Sequence, residues 1–189
     1  MKPPNVVLIG FMGAGKSICG RMLARRSGRG FVETDDMIAA RDGRSIPEIF
    51  RQDGEERFRQ LEGEVLEELA LTEGNVIATG GGLPCREGRM ELLKSLGTVV
   101  WLDCDFRELH ARASRSGGRP MLQGRSLAEV EALYRQRTVF YRQAHLTIDT
   151  TGLSVDEVVS RVLRALRGLD PRGGPRLTKV PMRNLRCKP

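Results

Sequence analysis

Gly10-Phe11-Met12-Gly13-Ala14-Gly15-Lys16-Ser17 fits the pattern G-x-x-x-x-G-K-[ST], directly after the apolar run Asn5 to Ile9 and directly before a helical run. Those flanks suit a phosphate cradle. Glycines turn backbone N–H groups towards the anion, the helix N-terminus adds positive potential, Lys16 brings a mobile cation, and the Ser17 hydroxyl can ligate Mg²⁺. Such a loop specifies nucleotide phosphates and leaves the acceptor open. An acceptor hydroxyl needs an acid to orient it and take its proton. Glu33-Thr34-Asp35-Asp36 supplies carboxylates at the end of a second apolar run, beside the P-loop if that strand is its sheet neighbour. Asp35 is the candidate for the functional acid, and Asp36 reads as a helix cap or first-turn acid.

Three further groups extend this chemistry. Arg59 and Glu62 lie three residues apart on one helix face, so the guanidinium could take a carboxylate in bidentate fashion while Glu62 holds it. Taken alone, such a pair is more often a surface ion pair of little weight. Gly80-Gly81-Gly82 follows the apolar run Asn75 to Thr79, and three glycines there allow very close approach of backbone to a ligand. Arg119-Pro120 falls in a glycine-rich basic segment, 115–124, from which an arginine could fold over a γ-phosphate as the loop closes.

The elements that must position these groups alternate. Strands are expected at Asn5 to Ile9, Gly30 to Glu33, Asn75 to Thr79, Thr98 to Asp103 and Leu146 to Asp149. Phe58, Leu61, Val65, Leu66 and Leu69 recur at helical spacing between the second and third strands. Other helices are expected at Lys16 to Ser27, Met90 to Leu96, Phe106 to Arg115, Leu127 to Arg142 and Ser154 to Leu166. Alternation of this kind implies an α/β fold, a three-layer αβα arrangement around a five-stranded parallel sheet, with ligands at the carboxyl ends of the strands.

With 189 residues the chain has room for one such domain, expected over 1–167, and the mean hydropathy of −0.31 describes a soluble protein. No apolar stretch is long enough to span a bilayer, and neither a signal peptide nor a membrane anchor is read. Cys19, Cys85, Cys104 and Cys187 form no C-x-x-C pair and the two histidines lie far from them, which argues for reduced thiols rather than a zinc site or disulfides. The formal charge of +7 raises the question of a polyanionic partner. Most of it belongs to 168–189, a Pro/Gly-rich segment with six basic residues against one acid, read as a disordered tail. Nucleic acid is therefore not expected as a partner of the domain.

In their order and wording these motifs resemble the shikimate kinases, P-loop kinases related to the nucleoside monophosphate kinases. The matching pieces are Gly10 to Ser17, Thr34-Asp35, Gly43-Arg44-Ser45-Ile46 with Ile49-Phe50, Gly54-Glu55 leading to Phe58-Arg59 and Glu62, Gly80 to Gly82, Arg119-Pro120, and Arg137 four residues before Tyr141. The resemblance implies a helical substrate-binding segment near 35–63 and a lid near 113–125. It implies ATP- and Mg²⁺-dependent phosphorylation of the 3-hydroxyl of shikimate, towards chorismate and the aromatic amino acids, by a cytoplasmic monomer. By similarity Asp35 activates that hydroxyl, Arg59 and Arg137 hold the substrate carboxylate, and the Gly81 and Gly82 backbone contacts the substrate. Gly13, Ala14, Gly15, Lys16, Ser17 and Ile18 hold ATP, with Ser17 on Mg²⁺, while Lys16 and the lid residue Arg119 join Asp35 in catalysis. Phe50 and Phe58 would wall the ring.

The sequence also departs from the family pattern. Glu33 stands where many relatives carry an aspartate that positions the Mg²⁺ hydration shell, so its contribution through water comes from a longer side chain. Asp149 to Ser154 lacks the arginine that some relatives place near adenine, which leaves backbone groups and Arg112 for that contact. Two other readings are another small-molecule P-loop kinase, for gluconate or a nucleoside monophosphate, and a catalytically silent nucleotide-dependent binding protein. Phe58-Arg59-x-x-Glu62 with the triple glycine opposes the first; Lys16, Ser17, Asp35 and Arg119 together oppose the second. The tail could be a passive extension, a partner-binding segment or an assembly element, and rapid loss of the last twenty or so residues in limited proteolysis with activity intact would favour the first. Loss of activity with the tail would make it part of the enzyme.

Overall fold

The computed structural model describes residues 3–115 and 125–168. Arg119-Pro120, with most of the expected lid, and the tail beyond 168 lie outside the described residues. Five short runs rich in valine, isoleucine and leucine form the strands β1 (Asn5–Ile9), β2 (Gly30–Glu33), β3 (Asn75–Ala78), β4 (Gly97–Asp103) and β5 (Leu146–Asp149). They make one parallel sheet in the order β2-β3-β1-β4-β5. All five residues of β1 are buried, as a central strand covered on both faces requires. Seven helices complete the described part of the chain: α1 (Lys16–Ser27), α2 (Thr34–Asp42), α3 (Ile46–Ala70), α4 (Arg89–Leu96), α5 (Phe106–Arg115), α6 (Leu127–Tyr141) and α7 (Val155–Arg167).

This order corrects one expectation. β2 is not the neighbour of β1, because β3 lies between them. The carboxylates after β2 still reach the P-loop because α1, which leaves that loop, crosses over β3 and packs on β2. Since all strands are parallel, the P-loop, the segment after Glu33 and the triple glycine emerge at the same edge of the sheet.

The helical part of the substrate-binding segment is larger than its apolar periodicity suggested. α2 begins directly after β2, with Asp35 and Asp36 in its first turn and Glu33 at the capping position. α3 begins at Ile46, twelve residues before Phe58, because Ser45 and Glu48 form a capping box and Pro47 pre-sets the first turn. It also contains a break at Gly54, at φ 75 and ψ −172. A 3-10 turn at Leu83–Cys85 follows the triple glycine. Elsewhere the ends differ from expectation by single residues, as at Gly97, which opens β4.

Asn5 ties the start of this sheet together. Its side-chain amide donates to the Thr72 carbonyl at 2.8 Å and its Oδ1 accepts from the Asn75 N–H at 2.9 Å. Its backbone pairs in register with Gly97, where a Cβ would stand 2.1 Å from the Asn5 carbonyl oxygen. Gly97→Ala must push β4 away from β1, and a loss of about 1–3 kcal/mol in unfolding free energy is expected from such overpacking. Equilibrium urea denaturation measures it; an unchanged midpoint would mean that the strand start yields without cost.

Candidate active site

The P-loop turns on glycines that no other residue could replace cheaply. Gly13 and Gly15 adopt φ 83 and φ 80, and a Cβ at Gly13 would lie 2.4 Å from the Leu109 carbonyl oxygen. Gly15 caps α1 with no side chain, so the N–H groups of the first turn are directed at whatever anion occupies the loop. Lys16 folds back over the same loop, its Nζ donating to the carbonyls of Gly10 at 2.8 Å and Phe11 at 3.1 Å.

A cleft of about 270 Å³ opens beside the loop, lined by Gly13, Ala14, Gly15, Ile18, Cys19 and Arg112. Its far wall comes from Leu153, Val155 and Val158 at the start of α7. Burial pushes the Cys19 thiol up to about 11, so it stays neutral and lines the cleft as a small apolar group. Arg112 pairs with Glu108 one turn earlier, and the other Glu108 oxygen accepts the Gly152 N–H at 3.0 Å. These walls suit a flat, largely apolar base whose phosphates run into the P-loop.

At the other end of the loop, Ser17 donates its hydroxyl to Glu33, whose second oxygen sits 3.3 Å from Arg21. The extra methylene of Glu33 therefore places a carboxylate directly on the serine of the P-loop. Among the described residues no group of three His, Cys, Asp or Glu side chains could hold a metal by itself. A serine hydroxyl and one carboxylate instead fit Mg²⁺, a hard ion that completes its shell with water and nucleotide phosphates.

Asp35 occupies the first turn of α2, mostly buried, and its Oδ1 has no hydrogen-bond partner in the structure. Burial raises its pKa above the ordinary carboxylate value; Lys16 pulls it down, while Glu33 and Asp36 push it further up. A buried, unpaired acceptor beside a phosphate loop is what a bound hydroxyl would satisfy. A Cβ at Gly80 would come within 2.8 Å of that same oxygen. Thr34 holds the two segments in this apposition, its Oγ1 accepting the Gly80 N–H at 3.1 Å.

Arg59 and Arg137 converge on the same glycines. A point where Gly82 would carry a Cβ lies 3.4 Å from Arg137 Nη2 and 3.7 Å from both terminal nitrogens of Arg59. Gly81 is equally confined, its Cβ position standing 3.6 Å from Arg137 Nη1 and 3.4 Å from the Gly10 carbonyl oxygen. Glu62, almost fully buried, accepts from Arg59 Nη1 at 2.8 Å. Burial raises the Glu62 pKa and the Arg59 guanidinium opposes that rise. Phe50 and Phe58 stack with ring centroids 4.7 Å apart, and the Arg59 guanidinium lies 5.1 Å from the Phe58 ring. Tyr141, one turn beyond Arg137, is fully buried and donates its hydroxyl to the Gly81 carbonyl at 2.5 Å.

The structure thus gathers the P-loop, Asp35, Arg59, Gly81, Gly82 and Arg137 at one edge of the sheet, with Ile18 and Arg112 in the adjoining cleft. Four residues given no role by the sequence reading take part in this arrangement: Thr34, Glu55, Arg86 and Tyr141. Spacing could have found Glu55 and Tyr141, which stand one helical turn from Arg59 and Arg137. Nothing local marks Thr34 or Arg86, whose partners are distant in sequence. Chemically, the arrangement can bind a nucleotide and an anionic hydroxylated ring side by side, with one buried acid between them.

A family model described as shikimate kinase matches residues 12–167. The shikimate kinase of Symbiobacterium thermophilum is 42% identical over 173 residues, covering 89% of this chain and 99% of that protein. Among solved structures, shikimate kinase from Acinetobacter baumannii in complex with shikimate superposes with a TM-score of 0.83 at 36% identity, covering 87% of this chain and 93% of that one. Shikimate kinase from Aquifex aeolicus gives a TM-score of 0.78 at 39% identity, over 87% and 96% of the two chains.

Tyr141→Phe strips the Gly81 carbonyl of its strong donor while leaving the ring in place, so that only the weak Cys85 thiol contact at 3.7 Å remains. A loss of about 0.5–1.5 kcal/mol in unfolding free energy is expected, the net worth of one hydrogen bond. Urea denaturation checks it, and wild-type stability would show that the carbonyl is satisfied without the tyrosine.

Proposed function

The chain belongs to the shikimate kinase family, and we propose that it transfers the γ-phosphoryl group of ATP to the 3-hydroxyl of shikimate through the residues gathered at the carboxyl edge of its sheet. The products are shikimate 3-phosphate and ADP. The observation that carries the residue assignment is the convergence of Arg59 and Arg137 over Gly82, next to a buried acid with an unpaired oxygen. Two guanidinium groups suit a carboxylate, and the acid suits one hydroxyl of the same ring.

In this reading the base of ATP enters the cleft between Ile18, Arg112 and the start of α7, and the backbone of Gly13, Ala14 and Gly15 takes the phosphates. Mg²⁺, held by Ser17 and, through water, by Glu33, neutralises phosphate charge when bound. Arg59 and Arg137 fix the shikimate carboxylate while the Gly81 and Gly82 backbone lies against the ring. This sets the 3-hydroxyl against Asp35 Oδ1, which accepts its proton as the oxygen attacks the γ-phosphorus. Lys16 moves from the loop carbonyls to the charge that develops on the transferring group, because its flexible stem lets the ammonium follow it. Arg119, beyond the described residues, is assigned to the same charge from the lid.

The kinase domain in this proposal is 1–167, with 35–63 as substrate-binding segment and 168–189 as an appendage that takes no part in transfer. Among the described residues no helix is long and apolar enough to cross a membrane. A cytoplasmic monomer without a nucleic-acid partner is the assembly proposed.

Coupled measurement of ADP release with shikimate, gluconate and CMP as acceptors tests the reading. Stimulation by shikimate alone is expected, and stimulation by another acceptor in its place would overturn it. Asp35→Asn is expected to lower kcat at least about a hundredfold with little change in shikimate KM. The same variant should melt at a higher temperature than the wild type, since it removes a mostly buried charge whose desolvation outweighs the help of Lys16 and Thr34. Undiminished turnover would take Asp35 out of the mechanism.

A further inference from the structure

Arg59 presents three edges for hydrogen bonding, and the structure fills them unequally. Glu55 Oε1 accepts from Arg59 Nε at 3.0 Å and from Arg59 Nη2 at 2.8 Å, so it covers the side edge of the guanidinium. Glu62 takes Nη1 from the other flank. The terminal edge remains, with Nη1 and Nη2 equidistant from the Gly82 position, and that edge meets a carboxylate in bidentate fashion. The same Glu55 oxygen also accepts from Arg86 Nη2 at 3.1 Å. Arg86 follows the 3-10 turn after the triple glycine, so a single oxygen joins the substrate-binding helix to the segment that lies against the ring.

The local backbone is built for this contact. The break at Gly54 makes Glu55 the first residue of the second half of α3, one turn before Arg59. Stability does not explain the arrangement, because the Glu55 side chain is 59% exposed and exposed pairs of this kind contribute at most about 1 kcal/mol.

We propose that Glu55 is a positioning residue for the carboxylate subsite: it aims the terminal edge of Arg59 at Gly82 and fastens α3 to the Arg86 segment. The proposal rests on the shikimate reading given above. Without Glu55 only Glu62 holds the guanidinium, at Nη1, and the terminal edge can swing about that one contact away from Gly82.

Glu55→Ala is expected to raise the shikimate KM about tenfold, with kcat within about twofold and the KM for ATP unchanged. Glu55→Gln, which keeps an accepting oxygen at the same reach, should give a shikimate KM between those of wild type and Glu55→Ala. In the Arg59→Ala background, Glu55→Ala should add almost nothing, because its effect passes through the missing guanidinium. A shikimate KM that stays unchanged, or that falls because Glu55 competes with substrate for Arg59, overturns the proposal. So do equal rises in both KM values, equal KM values for the Gln and Ala variants, or additive effects in the double variant. Failure of the wild-type protein to phosphorylate shikimate is a separate outcome that removes the functional reading itself.

Discussion

The site depends on the bare backbone of Gly80, Gly81 and Gly82. Around these residues stand Asp35, which comes too near Gly80 to admit a side chain, and the P-loop carbonyl of Gly10 with the guanidinium groups of Arg59 and Arg137, which lie at van der Waals distance from Gly81 and Gly82. Asp35 arrives from α2, Gly10 from β1, Arg59 from α3 and Arg137 from α6. A Cβ at Gly80 would force Asp35 outward, and one at Gly81 or Gly82 would occupy space between the glycine and the guanidinium groups. Two buried hydrogen bonds hold the segment at this spacing, from the Gly80 N–H to Thr34 and from Tyr141 to the Gly81 carbonyl. Each partner neighbours a residue assigned to the substrate, directly in Thr34-Asp35 and one turn away in Arg137 and Tyr141.

Charge at the site is arranged against the fold's own preference. Asp35 and Glu62 are both buried enough for desolvation to raise their pKa values, and Asp35 lacks even a full set of partners. The Arg59 guanidinium opposes the rise at Glu62, and Lys16 opposes it at Asp35. Groups of this kind weaken a folded protein slightly and are tolerated where a ligand completes them. Their surroundings are correspondingly firm: Leu61, Leu66 and Ile49 of α3 and Ile38 of α2 are fully buried.

Much of this was legible from residue order. The five strands, the P-loop, Asp35 and the Arg59–Glu62 pair follow from local patterns, and a family resemblance adds Arg137. α2 was missed because its nine residues carry a short apolar face, of which only Ile38 is a large buried side chain. The early start of α3 was missed because its first turns are polar, and a capping box with a proline, not apolar periodicity, begins the helix. Strand order was not legible because a crossover helix can set down its second strand beside the first or one place further along, and no single residue records which. Thr34, Arg86 and Glu55 act through partners brought near by that topology. Short-range spacing marks only the i, i+4 contact of Glu55 with Arg59.

The place of β3 between β1 and β2 has a consequence for the geometry of the site. Strands in a sheet stand about 4.8 Å apart, so inserting one between β1 and β2 sets the axes of the strands that lead into the phosphate loop and into the Asp35 helix about 10 Å apart. The end of the inserted strand is glycine, so that interval is floored by backbone and left open above. Sheet order thus places the triple glycine that follows β3 between the loop that takes phosphates and the helix that brings Asp35.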